Sequence, residues 1–113
     1  MNKQLILKIL LILFSVTVSV YTIFAFQQEG ASLFQIFLTN ITSFNWNGQF
    51  NLDFSCYLLL SGLWIMWRNE FSTKSIIFGI IASIIGIIVF APYILYLLQK
   101  EKGNIQKVII GNK

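Results

Sequence analysis

Residues 5–26 read LILKILLILFSVTVSVYTIFAF, an apolar run interrupted only by Lys8 and a few hydroxyl side chains. As an α-helix this run extends about 33 Å, at roughly 1.5 Å per residue, which matches a hydrocarbon core of about 30 Å. The run is longer than the apolar region of a typical signal peptide. Bulky Phe24 and Phe26 also stand where a cleavage site needs small residues. We therefore predict a retained transmembrane helix over 5–26.

Two further apolar runs occupy residues 50–67 and 75–98. The first extends about 27 Å as a helix and ends in WIMWRNE, an aromatic belt followed by charges that is typical of a membrane interface. The second has no charged side chain. The short polar link 71–74 between them forces the two helices to be antiparallel neighbours. The predicted fold class is therefore an all-α integral membrane protein with three transmembrane helices.

The composition supports this class of protein and argues against others. Hydrophobic residues make up 57% of the chain and charged residues 11%, whereas a soluble domain carries about 25% charged residues. The net charge is +4, but the eight basic residues stand singly or in loose pairs beside the apolar runs. Nucleic-acid binding would cluster them on one face, so we predict no nucleic-acid partner.

Side chains suited to catalysis or metal binding are scarce. The sequence has no histidine, the commonest general base and metal ligand, and Cys56 is its only cysteine. We therefore predict no catalytic residue, no metal site and no cofactor. A non-enzymatic protein is the expectation.

The remaining segments are less apolar than the three spans. Apolar residues recur at three- and four-residue spacing over 31–44, a pattern that predicts a short amphipathic helix. This helix is too short to span, so we expect it in the interface plane or packed on the other helices. Residues 99–113 read as a hydrophilic tail, and the whole chain, 1–113, is a single membrane domain.

Basic residues give conflicting evidence on orientation. Lys3, Lys8, Arg68 and Lys74 flank one side of a three-span topology, and residues 27–52 contain no Lys or Arg. The positive-inside rule then predicts a cytoplasmic N-terminus. Three spans put the tail on the opposite side, yet it also carries four lysines. Two alternatives stay open: insertion of 31–44 as a fourth span, or dual topology in an antiparallel dimer. The tail lysines are Lys100, Lys102, Lys107 and Lys113.

Asp53 is the only acid inside a predicted span, and an acid at membrane depth is a candidate functional residue. At about 100° per residue it shares a helix face with Tyr57, Trp64 and Trp67, with Arg68 at the edge. These five residues are the candidate binding site, for an apolar or cationic small molecule held partly by cation–π contacts. The alternatives are an ordinary packing face and a hydrated acid at the helix start, where it suits the dipole.

Small residues recur every four positions in the third predicted span, in one register at Ser75, Gly79 and Ser83 and in another at Ala82 and Gly86. This spacing lets helix backbones approach closely, so we predict a helix-packing seam there, either within the chain or between chains. Pro92 predicts a kink or an early helix end at Ala91.

One stretch resembles a known family. The sequences FNLD at 50–53, WIMWRNE at 64–70 and APYILYLL at 91–98 resemble a bacterial family of small membrane proteins known as domain of unknown function 2834. The resemblance covers residues 45–98, and its most specific parts are Asp53, Trp67-Arg68 and Pro92-Tyr93. It implies a three-helix fold and no particular activity.

These observations favour a small multi-pass protein of the bacterial cytoplasmic membrane. We expect an accessory or interaction protein, whose partners are the lipid bilayer and either copies of itself or a larger membrane complex. The alternative is a binding or transport module that uses Asp53 and the aromatic face.

Overall fold

The computed structural model describes residues 2–111, with side chains from residue 4 onward. The predicted all-helical class is confirmed, because this part of the chain forms α-helices and no β-strand. The helices are α1 (Asn2–Glu29), α2 (Leu33–Thr42), α3 (Trp46–Arg68), α4 (Thr73–Ile85), α5 (Ile87–Lys100) and α6 (Ile105–Ile110).

Helix α1 is, within residues 2–111, the one helix long and apolar enough by itself to cross a membrane. Its segment Gln4–Glu29 has 26 residues, and a window of 18 residues within it has a mean hydropathy of 2.4. A signal sequence near an N-terminus meets the same criterion. Helix α3 is 23 residues long and less apolar.

Helix α3 begins earlier than the predicted span 50–67. Asn45 is its N-cap, and the Asn45 side chain accepts a hydrogen bond from the Gly48 N–H at 3.1 Å. This cap satisfies a backbone donor that would otherwise be orphaned, so the helix starts at Trp46. Asp53 therefore lies about two turns inside α3, and the interpretation of Asp53 as a helix-start residue is wrong.

The prediction of one helix over 75–98 is wrong, because the chain breaks at Gly86. Gly86 has φ 92° and ψ −141°, a conformation that is costly for any residue with a Cβ. Its N–H donates to the Ala82 carbonyl at 2.8 Å, and its own carbonyl accepts from Val89 and Phe90. The break thus keeps these backbone groups bonded, as an apolar environment requires.

Helix α5 runs back beside α4, so residues 73–100 form a helical hairpin. The rings of Phe78 and Tyr93, one on each arm, lie 4.9 Å apart between centroids. In a continuous helix these two residues would be about 22 Å apart. The hairpin tip at Gly86 lies against Phe54 and Leu58 of α3.

The other helices pack around this hairpin. Helix α4 packs along α3, α1 packs along α5, and α2 packs on α3. A buried apolar cluster joins α1, α5 and α6 through Leu11, Ala91, Leu97, Leu98 and Val108. At the other end of the molecule, residues 20–35, which cover the end of α1, the turn after it and the start of α2, are all exposed.

The segment predicted as a hydrophilic tail contains α6, so the prediction of a purely polar tail is wrong. Val108 is buried, because it packs into the cluster shared with α1 and α5. The hairpin returns the chain to the level of the 69–72 link. Lys113 lies outside the described residues.

Pro92 does not end α5. It lies within α5, which continues to Lys100. The break occurs six residues earlier, at Gly86, where the backbone conformation itself departs from the helix.

Candidate functional site: the Arg68 junction and the adjoining clefts

Arg68, the last residue of α3, is buried and joins three segments of the chain. Its Nη2 forms an ion pair with Glu101 Oε2 at 3.0 Å, just after the end of α5. Its Nε donates to the Val108 carbonyl at 2.6 Å, and Nη2 also donates to the Lys107 carbonyl at 3.1 Å. One planar guanidinium therefore holds α3, α5 and α6 together, which suits its fixed fork of donors.

Trp64 adds a second contact one turn earlier on α3. Its indole Nε1 donates to the Ile109 carbonyl at 2.9 Å, and its ring packs edge-on against Phe90 and Tyr93. The last four carbonyls of a helix have no partner within the helix. Trp64 and Arg68 together bond three of those carbonyls in α6, so these side chains explain why so short a helix is held in place.

The described basic side chains gather at one end of the molecule. Arg68, Lys74 and Lys100 line one cleft at this end, and Lys8 and Lys102 line another beside Gly103. Lys107 lies on α6, which is bound to Arg68. The Gln4 side chain also donates to the Gly103 carbonyl, which brings the start of α1 to the same end.

The five predicted binding residues are not brought together as one site. Asp53 and Tyr57 are exposed on α3. Trp64 and Arg68 bind the C-terminal segment instead, as described above. Trp67 is partly exposed, and its side chain is not free of contacts. Sequence reasoning missed Glu101 and Val108, because it placed their segment on the other side of the membrane.

The predicted packing seam lies between α3 and α4, within the chain. A Cβ at Gly79 would lie 2.7 Å from the Gly62 carbonyl oxygen, so the two backbones touch at this point. Ser83 donates to the Leu58 carbonyl at 3.2 Å across the same interface. Gly86, also predicted for this seam, does not belong to it, because it forms the break between α4 and α5. Gly62 completes the contact and was not among the predicted residues.

A cleft of about 370 Å³ opens between the hairpin arms at the basic end, and we call it the basic cleft. Lys74, Lys100, Asn69, Ser72 and Tyr93 supply polar side chains to its wall. A second cleft of about 520 Å³, the apolar cleft, lies further toward the hairpin tip. Its lining is Phe78, Val89, Pro92, Tyr93 and Tyr96.

Among the described residues, no group of three or more His, Cys, Asp or Glu side chains is placed to hold a metal ion. Comparison of the chain with protein-family models, curated proteins and solved structures found no match. The resemblance over residues 45–98 thus depends on the sequence motifs alone and stays a prediction.

Proposed function

We propose that this chain is an integral protein of the bacterial cytoplasmic membrane with a non-enzymatic, accessory role. In this proposal α1 and α3 cross the bilayer, and the α4–α5 hairpin enters it from the cytoplasmic side and returns. The chain would act through contacts with lipid and with other membrane-embedded helices, either its own copies or a larger complex.

The observation that carries the proposal is the gathering of basic side chains at one end. A three-span topology splits these residues between the two sides and conflicts with the positive-inside rule. With the hairpin, the N-terminal end of α1, the 69–72 link and α6 share one side, and residues 9–67 contain no Lys or Arg. The charge distribution then agrees with a cytoplasmic N-terminus.

Helix lengths support the same arrangement. Helices α1 and α3 are about 42 and 34 Å long, enough to cross a hydrocarbon core of about 30 Å. The hairpin arms are about 20 Å long, too short to cross it. The packing of Leu11 into the buried cluster gives α1 a part in the fold, which favours its retention over cleavage.

An interaction role is supported by the end of the molecule opposite the basic side chains. Here the apolar residues of α1, such as Phe24 and Phe26, are about 60% exposed and lie beyond the reach of the hairpin. Lipid or a partner helix would cover this surface. The alternative, a small-molecule site on the Asp53 face, has less support because neither the basic nor the apolar cleft includes Asp53 or Tyr57.

Cysteine labelling in membrane vesicles tests the topology. In a Cys56→Ala background, single cysteines replace the exposed residues Asn47, Thr73 and Gln106. An impermeant maleimide should label positions 73 and 106 from the cytoplasmic face and position 47 from the opposite face. Labelling of positions 47 and 106 both from the face opposite the cytoplasm would restore the three-span topology, and labelling of both from the cytoplasmic face would indicate that 31–44 inserts as a fourth span. Recovery of the chain in the soluble fraction would reject the membrane role altogether.

A further inference from the structure

The basic cleft and the apolar cleft adjoin each other along the hairpin. Three aromatic residues, Phe78, Tyr93 and Tyr96, line both of them. We treat the two adjoining clefts as one groove along α4 and α5, with the end of α3 in the wall of its basic half.

The groove changes from polar to apolar along its length. Lys74, Lys100 and Ser72 lie at its mouth, whereas Val89 and Pro92 lie toward the tip. Along α5, Val89 and Lys100 are separated by about 17 Å. A ligand that fills the groove therefore needs a polar head and an apolar chain.

The lysines at the mouth favour an anionic head. Among the described residues, no Asp or Glu lines either cleft. The Arg68 guanidinium at the cleft wall is already engaged by Glu101 and by backbone carbonyls. Lys74 and Lys100 have no carboxylate partner in the described part of the chain, and Lys100 has only a distant contact, 6.0 Å, with the Tyr96 ring.

The Tyr93 hydroxyl adds a directional donor between the two halves of the groove. It accepts a hydrogen bond from Asn69 Nδ2 at 2.9 Å, so its own proton remains available to a ligand oxygen. A phosphate diester at the mouth would then meet two ammonium groups and one hydroxyl donor.

We propose that this groove binds one phospholipid with an anionic headgroup from the cytoplasmic leaflet. The headgroup phosphate lies between Lys74 and Lys100, and one acyl chain lies along Phe78, Tyr93 and Val89. Basic pockets between membrane helices on the cytoplasmic side suit anionic headgroups in this way. The inference rests on the proposed membrane insertion, which puts the mouth of the groove at headgroup depth.

Native mass spectrometry of the purified full chain in detergent tests the site. The probes are dioleoyl phosphatidylglycerol and dioleoyl phosphatidylcholine, which share their acyl chains and differ in net charge. We expect one phosphatidylglycerol to bind in preference to phosphatidylcholine. The Lys74→Gln/Lys100→Gln variant should lose about 30-fold in phosphatidylglycerol affinity, and Lys74→Arg/Lys100→Arg should retain it.

The matched control is Lys102→Gln/Lys107→Gln, which removes the same charge at the same end but outside the groove. It should change the affinity by less than about threefold, because exposed charges beyond the site are screened. Equal losses in the two glutamine variants would reject the groove in favour of general charge attraction. Displacement of the lipid by an equal concentration of glycerol phosphate would show a free-phosphate site and would also overturn the proposal.

A further variant tests the apolar half and keeps both lysines. Val89→Trp should fill the apolar cleft and reduce phosphatidylglycerol binding, and unchanged binding would contradict the assigned acyl position. Flotation of the wild type with phosphatidylcholine vesicles separates this inference from the membrane proposal. A chain that floats with those vesicles and has no phosphatidylglycerol preference rejects the lipid site alone.

Discussion

Arg68 and Glu101 form an ion pair at 3.0 Å that ties the end of α3 to the residue after α5. The two side chains are 4% and 15% exposed, so each carries a charge that is largely removed from solvent. Their contact is incompatible with a continuous helix over 75–98. Such a helix would carry Glu101 about 42 Å from the start of α4.

Arg68→Met should destabilise the fold by about 3–5 kcal/mol, because Glu101 and the α6 carbonyls lose their common partner. Glu101→Gln keeps the shape and should cost less, about 1–2 kcal/mol. Unfolding in mild detergent measures both, and the double variant gives the coupling energy. The control Lys107→Met removes an exposed cation from the same end. Equal stability of Arg68→Met and this control would contradict the assigned role.

Gly86→Ala should cost on the order of 1–3 kcal/mol, because φ 92° with ψ −141° disfavours any Cβ. The nearest atom to that Cβ, Leu58 Cδ2, would be 3.4 Å away, so the cost comes from the backbone and not from a clash. Gly30→Asn is the comparison, since its φ of 68° lies where Asn is tolerated and its surroundings are open. If Gly86→Ala is as stable as the wild type, the break at Gly86 is not a fixed feature.

Gly79→Ala and Gly62→Ala should each destabilise the α3–α4 contact by about 1–3 kcal/mol through overpacking. The added methyl group would approach the opposing carbonyl oxygen to 2.7 Å at Gly79 and 2.6 Å at Gly62. Ile80→Ala, at a half-exposed position on α4, controls for general effects on the helix. Comparable small effects at all three positions would indicate that the two backbones are not in contact.

Asp53→Asn should leave the free energy of unfolding within about 0.5 kcal/mol of the wild type, because Asp53 is exposed. If its charge serves an interaction, the variant should lose whatever copurifies with the wild type in mild detergent. Glu29→Gln, at the end of α1, is the matched control. A loss of stability above about 1 kcal/mol would show that Asp53 has a structural partner.

The all-helical class can be predicted from the apolar runs, but the turn that makes α4 and α5 a hairpin cannot. A uniformly apolar stretch such as 75–98 carries no periodicity that separates one long helix from two short ones. Gly86 was interpreted as a small packing residue, since a sequence does not reveal the sign of φ. The one sequence signal in favour of a hairpin was the conflict in lysine count between the two sides, which the proposed topology removes.

The Arg68 junction was only half predictable. Arg68 and Trp64 stood out as polar and aromatic residues at a helix end, but, apart from Glu101, the partners that hold α6 are its backbone carbonyls. Backbone acceptors have no sequence signature. The isolated apolar residue Val108 in a polar segment was the one available hint, because it has to be buried somewhere.

The chain turns back at Gly86, so that the end of α5 lies near the start of α4. Spin labels at Thr73→Cys and Gln99→Cys, in a Cys56→Ala background, allow the distance between these two positions to be measured by pulsed electron–electron double resonance. The hairpin predicts a distance well under half of the roughly 39 Å that a continuous helix gives between these positions. A distance close to that longer value would contradict the hairpin, and with it the shared basic end and the lipid groove.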